Sequence, residues 1–235
     1  MGSLRSDVEA EAVQLSKWCW REQCVQSLAG IGRLALALVV LLSVSQREVL
    51  AEPLSAALLD DLKKGGYIIY FRHAETEHPP GHMEREAREK NQVDLADCSS
   101  QRNLSEQGRA KAAVAGRALR SLGIPVGVAV ASRYCRTMET ARLIYGEPIP
   151  SDDLTRLEEG KDGRAGALLD LLSVPPAQGT NTLIFAHRGI LSMATGESAE
   201  EGEAVIFRPA GAGQSYRVVW RVKIHEWAES PGAHR

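Results

Sequence analysis

Three short clusters of arginine, histidine and serine each follow directly on an apolar run of the chain. They are Arg72-His73 after residues 67–71, Ser132 to Arg136 after residues 126–131, and His187-Arg188 after residues 182–186. A guanidinium group binds oxyanions through paired, charge-assisted hydrogen bonds, and an imidazole can act as a nucleophile or proton carrier near neutral pH. Because a buried strand rarely ends on such residues for packing reasons alone, the clusters favour phosphoryl chemistry.

The apolar runs are interpreted as strands whose carboxyl ends meet at one edge of a sheet. In open α/β sheets, ligands bind beyond the carboxyl ends of the strands. Arg136 is placed in the first turn of a helix, where its side chain leans back toward the free N–H groups of the helix N-terminus. We therefore expect Arg72, His73, Arg136 and His187 to surround one pocket for a dianion.

Helical patterns alternate with these strands. We predict helices over residues 53–64, 104–122, 133–144 and 165–172, and strands over residues 67–71, 126–131, 182–186, 204–208 and 216–222, with a short strand from Ile149. Ser105 and Ser132 are placed to cap the helices that follow them. The alternation predicts a three-layer α/β/α domain with a mostly parallel central sheet and an antiparallel edge hairpin.

Composition and charge are those of an ordinary soluble globular protein with one substantial domain. The 235 residues are 44% hydrophobic and 25% charged. The formal net charge of −2 offers no basic field for nucleic acid, so we predict no such partner. We divide the chain into a leader, residues 1–51, and a folded domain, residues 52–235.

The leader contains an apolar run, residues 34–44, that follows Arg33 and precedes small residues up to Ala51. This order is typical of a secretory signal, and the run is shorter than the roughly 20 residues of a membrane-spanning helix. We expect export to the periplasm or the extracellular space with cleavage near Ala51, or membrane attachment through residues 34–44 if the leader is uncleaved. Residues 1–32 are long and acidic for a signal, which leaves open a later translation start or a cytoplasmic tail.

Cys98 and Cys135 are the two cysteines of residues 52–235. In an oxidising compartment an even pair favours a disulfide, and the alternative is two thiols that pack as small apolar side chains. The bridge would close a loop of 135 − 98 = 37 residues, worth roughly 4 kcal/mol in the chain-entropy model. No Cys-x-x-Cys or closely spaced histidine pair accompanies them, so we do not expect a zinc site.

Four motifs of the chain resemble those of the histidine phosphatase superfamily, in its phosphoglycerate-mutase-like branch. In family order they are Arg72-His73-Ala74-Glu75, then Leu104-Ser105-Glu106-Gln107-Gly108, then the spaced set Ser132, Arg136, Thr140 and Ala141, and last His187. Together they span about residues 65–222. The resemblance implies a central, mostly parallel sheet flanked by helices, and an enzyme that needs no metal or cofactor.

The resemblance also implies a role for each matched residue. His73 is the expected nucleophile, and Arg72, Arg136 and His187 are expected to hold the nonbridging oxygens of the phosphoryl group. The general acid of the family is usually a carboxylate later in the chain. Glu159 is the first candidate and Glu158 the second, with a solvated turn as the alternative for both. Nearby arginines should keep His73 unprotonated.

The chain departs from the family pattern at three places. Ala74 stands where relatives have glycine, Arg188 follows the late histidine, and residues 78–97 form an insertion without a family counterpart. Arg188, Arg102 and Asn103 are candidate substrate contacts, with exposure to solvent as the alternative for each. The insertion is expected to shape the entry of a small phosphorylated substrate.

The expected activity is metal-independent hydrolysis of phosphomonoesters through a phosphohistidine on His73. A phosphoglycerate-type mutase is a weaker alternative, because the loops that retain a sugar acid are not matched. A phosphate-binding or envelope interaction module that keeps the pocket without turnover is the other alternative.

Overall fold

The computed structural model describes residues 54–78, 94–155, 161–211 and 215–233, with the backbone alone for residues 161–164. These ranges belong to one compact unit, Ala51–Arg235. The predicted leader, most of the insertion, and both candidate acids, Glu158 and Glu159, lie outside the described residues. Within the described ranges, no helix is both long enough and apolar enough to cross a bilayer.

Helices and strands alternate along the chain much as the sequence predicts. The helices are α1 (Ala56–Lys64), α2 (Glu106–Ser121), α3 (Cys135–Ile144), α4 (Lys161–Ser173), α5 (Arg188–Thr195) and α6 (Glu226–Glu229), with a 3-10 turn at Cys98–Ser100. The strands are β1 (Ile68–Arg72), β2 (Val126–Ser132), β3 (Ile149–Ser151), β4 (Asn181–Ala186), β5 (Ala204–Pro209) and β6 (Tyr216–Val222). Helices α5 and α6 and the 3-10 turn are additional to the predicted set.

The strands form one six-stranded sheet in the order β3-β2-β4-β1-β5-β6. Strand β1 lies in the interior, parallel to β4 on one side and antiparallel to β5 on the other. Strands β3, β2 and β4 also run parallel, and β5 pairs with β6 as an antiparallel hairpin. The predicted mostly parallel sheet with an antiparallel edge hairpin is confirmed.

Two apolar layers cover the two faces of the sheet, because successive side chains of a strand point to opposite sides. Ile69 and Phe71 of β1 pack in the layer that contains buried residues of α1, α2, α3 and α6. Ile68 and Tyr70 pack in the layer formed with α4 and α5. The predicted three-layer α/β/α architecture is therefore confirmed.

The antiparallel pairing of β5 brings a further segment to the carboxyl end of β1. Phe71 lies opposite Ala204, the first residue of β5. The Arg72 N–H donates to the carbonyl of Glu203 at 3.1 Å. Residues 196–203, which precede β5, therefore reach the same edge of the sheet as Arg72 and His73.

Asn181 ties three segments together at the opposite edge of the sheet. Its side chain is fully buried, and its Nδ2 donates to the carbonyls of Leu62 at 2.7 Å and Pro125 at 2.9 Å. Its Oδ1 accepts from the Tyr67 N–H at 3.1 Å. These three bonds fix the starts of β1, β2 and β4 away from the predicted site.

One of the two predicted helix caps is wrong. Ser105 caps α2 as expected, since its Oγ accepts from the Gly108 N–H at 3.0 Å. Helix α3 instead begins at Cys135 with Tyr134 in the cap position, and the Tyr134 side chain makes no cap hydrogen bond. The hydroxyl of Ser132 instead contacts a histidine ring at the predicted site.

Candidate active site

His73 follows β1 directly and exposes 2% of its surface. Its N–H donates to the carbonyl of Ala186 at 3.1 Å, and its carbonyl accepts from the Gly202 N–H at 2.8 Å. Its Nδ1 lies 2.9 Å from the carbonyl oxygen of Ala74. Because a carbonyl oxygen only accepts, this contact places the proton of the neutral ring on Nδ1 and the lone pair on Nε2. Nε2 is thus the nitrogen that can attack phosphorus.

His187 lies beside His73, because each follows one of two neighbouring parallel strands. The two ring centroids are 5.6 Å apart. The hydroxyl of Tyr70 donates to the carbonyl of His187 at 2.8 Å, and the Oγ of Ser132 lies 2.8 Å from Nε2 of His187. The ring of His187 is therefore oriented from its backbone and from its imidazole.

Arg136 lies in the first turn of α3 and exposes 7% of its surface. Its guanidinium carbon is 4.4 Å from the centroid of the Tyr134 ring, a cation–π distance. The Tyr134 ring in turn meets the His187 ring edge-on, with centroids 5.0 Å apart. The turn before α3 thus places a cation, an aromatic ring and the second histidine in one cluster.

Arg102 is also buried, with 8% of its surface exposed, which supports the site contact over the surface position. Its backbone carbonyl lies 3.5 Å from Nη1 of Arg136. Its Nη1 lies 3.5 Å from Oε1 of Glu201, and Nη2 of Arg72 lies 3.2 Å from the same oxygen. One carboxylate oxygen therefore links two of the arginines that the sequence predicts for the site.

Glu201 was not predicted as a site residue. Its side chain is 15% exposed, and its Oε1 and Oε2 accept from the hydroxyl and the N–H of Thr76 at 2.9 and 3.0 Å. Nη1 of Arg72 donates to the nearby carbonyl of Ala199 at 3.1 Å. The signal that could have found Glu201 is its place at the start of an antiparallel neighbour of β1.

The predicted disulfide between Cys98 and Cys135 is present, with the two Cα atoms 5.7 Å apart. Beside it, the Cys135 N–H donates to Oε1 of Gln101 at 2.9 Å. Because Arg102 follows Gln101 and Arg136 follows Cys135, the bridge joins the two segments that carry these arginines. It is thus part of the framework that positions the site.

Burial and positive charge keep both imidazoles neutral. The pKa of His73 is lowered well below its ordinary value of 6.5, first by burial, then by the charge of Arg136 and by the nearness of His187, which disfavours protonation of both rings. The pKa of His187 is lowered for the same reasons, first by burial and then by Arg136, Arg72 and Arg102. An imidazole is nucleophilic in its neutral form. The sequence also predicts that His73 is unprotonated.

Residues 68–168 match the model of the histidine phosphatase superfamily, branch 1. This match covers the strand before His73 and the helix that carries Arg136. The predicted resemblance to the histidine phosphatase superfamily is confirmed over these residues. The match supports phosphatase or mutase chemistry at the cluster around His73 and His187. No curated protein matches the chain in sequence.

Several solved structures of phosphatases are similar to this chain. The protein histidine phosphatase SixA complexed with tungstate is 13% identical, with a TM-score of 0.47 over 67% of this chain and 97% of its own. A mycobacterial glucosyl-3-phosphoglycerate phosphatase is 13% identical, with a TM-score of 0.46 over 67% and 99%. A phosphoserine phosphatase variant from Entamoeba histolytica is 14% identical, with a TM-score of 0.44 over 68% and 98%.

The remaining candidate residues of the site have different positions. Burial lowers the pKa of Arg72, the Glu201 carboxylate opposes that shift, and the charge of Arg188 adds to it. Arg188 is therefore close enough to act on the site, although its side chain is exposed in the first turn of α5. The Nδ2 of Asn103 donates to the Cys98 carbonyl at 2.7 Å, so this amide holds the cysteine loop.

Glu75 links the loop after β1 to helix α2. Its Oε2 lies 2.7 Å from Nζ of Lys111, and its carbonyl accepts from the Ser105 N–H at 2.9 Å. Among the described residues, no group of three or more histidine, cysteine or acidic side chains is arranged to hold a metal ion. The cluster at His73 and His187 offers instead a nucleophile among cations, which suits a phosphoryl dianion.

Proposed function

We propose that this protein is a phosphomonoester hydrolase that acts through a phosphohistidine intermediate on His73. The observation that carries the proposal is the pair of buried imidazoles, 5.6 Å apart between ring centroids, which stay neutral among the charges of Arg72 and Arg136. Phosphoryl transfer depends mostly on positioning and on neutralising charge at oxygen, and this cluster supplies both.

In the first step, Nε2 of His73 attacks phosphorus, the N–P bond forms, and the bond to the ester oxygen breaks. Arg72, Arg136 and His187 hold the nonbridging oxygens. Ser132 fixes the ring of His187 through the 2.8 Å contact with Nε2. The leaving oxygen takes a proton from a general acid, for which we propose Glu159 ahead of Glu158.

In the second step, water attacks phosphorus and the N–P bond breaks, which returns His73 to its starting state. The attacking water gives a proton to the carboxylate that acted as the acid. Inorganic phosphate then leaves. The proton that the acid gave to the leaving oxygen is thus replaced by the proton that it takes from water. Covalent catalysis of this kind divides one difficult displacement into two easier ones.

Hydrolysis of para-nitrophenyl phosphate by the full chain tests the proposal, with His73→Ala as the comparison. We expect turnover that is lost in the variant, and a phosphoenzyme that is stable to base and labile to acid, as a phosphoramidate is. Turnover that survives in His73→Ala would exclude the proposed nucleophile.

Glu159→Gln tests the acid, with Glu158→Gln as the matched control. A nitrophenolate leaves without protonation, whereas an alkoxide requires it. We therefore expect Glu159→Gln to slow the hydrolysis of alkyl phosphates far more than that of para-nitrophenyl phosphate. Equal effects on the two substrates would remove Glu159 from this role.

The two alternatives have separate outcomes. Movement of the phosphoryl group between the carbons of a phosphoglycerate would indicate the mutase. Tight binding of inorganic phosphate without any turnover would indicate the phosphate-binding module. Retention of activity in the presence of chelators is expected for a reaction that needs no metal.

We also propose that the domain is exported after cleavage near Ala51. The apolar run at residues 34–44 and the cysteine pair of the domain support this proposal. N-terminal sequencing of the mature protein should begin at Glu52. A mature protein that retains residues 34–44 would instead be attached to the membrane.

A further inference from the structure

We propose that Glu201 is a positioning residue, which holds Arg72 and Arg102 in the geometry that the phosphoryl group requires. This inference rests on the proposed hydrolase function, because it assigns Glu201 a role in the same site. Its Oε1 lies 3.2 Å from Nη2 of Arg72 and 3.5 Å from Nη1 of Arg102. Among the described residues that the sequence assigns to the site, none supplies a carboxylate to these two guanidinium groups.

The carboxylate is itself fixed by contacts on both oxygens. Oε1 accepts from the Thr76 hydroxyl at 2.9 Å, and Oε2 accepts from the Thr76 N–H at 3.0 Å. Thr76 is 2% exposed and lies three residues after His73 along the same loop. Glu201 therefore joins the nucleophile loop and the arginines through one partly buried carboxylate.

The backbone around Glu201 strengthens this arrangement. The neighbouring Gly202 N–H donates to the carbonyl of His73 at 2.8 Å, and the Ala199 carbonyl accepts from Nη1 of Arg72 at 3.1 Å. Residues 199–202 thus contact both members of the Arg72-His73 pair. The segment that precedes β5 therefore helps to position the residues at the carboxyl end of β1.

A counter-charge is needed here because guanidinium groups repel one another and have long, mobile side chains. Removing water from the site strengthens that repulsion. A carboxylate between Arg72 and Arg102 opposes it, and it restricts the rotamers of both before substrate binds. Pre-organised charge of this kind acts on the transition state without reorganisation during the reaction.

The test compares Glu201→Gln with Glu203→Gln in the full chain. Glu203 is a matched control: its side chain is 12% exposed against 15% for Glu201, and it pairs with Arg221 at 3.2 Å. We expect Glu201→Gln to lower kcat/KM for para-nitrophenyl phosphate about 10- to 100-fold, mainly through kcat. Glu203→Gln should stay within about threefold of wild type, since its carboxylate pairs with Arg221 and accepts from the Glu200 N–H at 2.7 Å, a bond that the glutamine carbonyl can also accept.

A structural role and an acid role give different results. If Glu201→Gln changes the thermal midpoint but leaves kcat within threefold of Glu203→Gln, the positioning role is wrong. A positioning residue lowers the hydrolysis of alkyl and nitrophenyl phosphates equally. A loss confined to alkyl phosphates would make Glu201 a proton donor and would also overturn the inference.

A double-mutant cycle gives a second reading. Glu201→Gln should have a smaller effect on kcat in an Arg102→Met background than in wild type, because the contact with Arg102 is already lost while that with Arg72 remains. Independent effects that multiply would contradict the inference. If Glu201→Gln does not fold, Glu201→Asp, which keeps the charge, should fold and retain more than a tenth of the wild-type kcat.

The outcome remains interpretable if wild type shows no phosphatase turnover. Binding of inorganic phosphate, measured by calorimetry, then replaces kcat as the readout. Weakening of at least tenfold in Glu201→Gln, with Glu203→Gln unchanged, supports positioning of the arginines even though the hydrolase proposal fails. Equal phosphate affinity in both variants overturns it.

Discussion

The two buried histidines should make the folded protein sensitive to acid. Burial and the arginine charges lower the pKa of His73 and His187 well below 6.5 in the folded state. In the unfolded chain each imidazole takes up a proton near pH 6.5. Between those two pKa values the unfolded state binds more protons, so the stability is present above pH 6.5 and is lost as the pH falls below it.

The size of this loss follows from the linkage relation. An imidazole that stays neutral when folded and titrates near pH 6.5 when unfolded removes about 1.4 kcal/mol of unfolding free energy between pH 7.5 and 5.5. Two such groups together remove about 2.7 kcal/mol, a large share of the 5–15 kcal/mol by which domains are ordinarily stable. Other ionisable groups add their own pH dependence to the unfolding free energy. The difference between wild type and a variant that lacks the two histidines removes that contribution.

Urea unfolding, followed by circular dichroism at pH 7.5 and 5.5 without phosphate, measures this effect. The double variant His73→Asn with His187→Asn should lose about 2.7 kcal/mol less than wild type over this range. His225→Asn, which changes an exposed histidine, is the control and should behave as wild type does. If the double variant loses as much stability as wild type, the two imidazoles are not buried in their neutral form.

Four further variants separate residues that act in the chemistry from residues that hold the fold. Ser132→Ala removes the 2.8 Å contact with His187 and should lower kcat about tenfold in a phosphatase assay, with little change in thermal midpoint; an unchanged kcat would contradict it. Asn181→Ala removes three buried bonds and should cost about 3 kcal/mol in urea unfolding while kcat is unchanged. Cys98→Ser with Cys135→Ser opens a 37-residue loop and should cost up to about 4 kcal/mol, also by urea unfolding; equal stability would show that the bridge is not formed in solution. Gly108→Ala should cost about 1–3 kcal/mol, because the new Cβ would lie 2.1 Å from the Glu75 carbonyl oxygen; a stable variant would show that this loop can yield.

The residues that follow parallel strands could be predicted from sequence, because their position depends on local patterns. His73 and His187 end two apolar runs, and parallel pairing puts them side by side. Arg136 could be placed because it lies in the first turn of a helix that follows a strand. These side chains meet because the strands that precede them run parallel, and the alternation of strands and helices in the sequence predicts that arrangement.

Glu201 could not be placed in the same way, because it lies before a strand. Its approach to Arg72 depends on the antiparallel pairing of β5 with β1, which local patterns do not determine. The sequence predicts Ser132 as a helix cap, because serine before a helix usually has that role. In the structure its hydroxyl contacts the ring of His187 instead, and local sequence patterns do not predict a contact between residues 55 positions apart.

The backbone and ring of His73 have little freedom to move. Its N–H and carbonyl bond to Ala186 and Gly202 on either side, its ring is held by the Ala74 carbonyl, and the next N–H donates to Oγ1 of Thr140 at 3.0 Å. In the proposed mechanism, such a nitrogen binds and releases phosphorus at nearly one point in space. The movement between attack and release is then made by the phosphorus atom and the leaving group, while the imidazole stays in place.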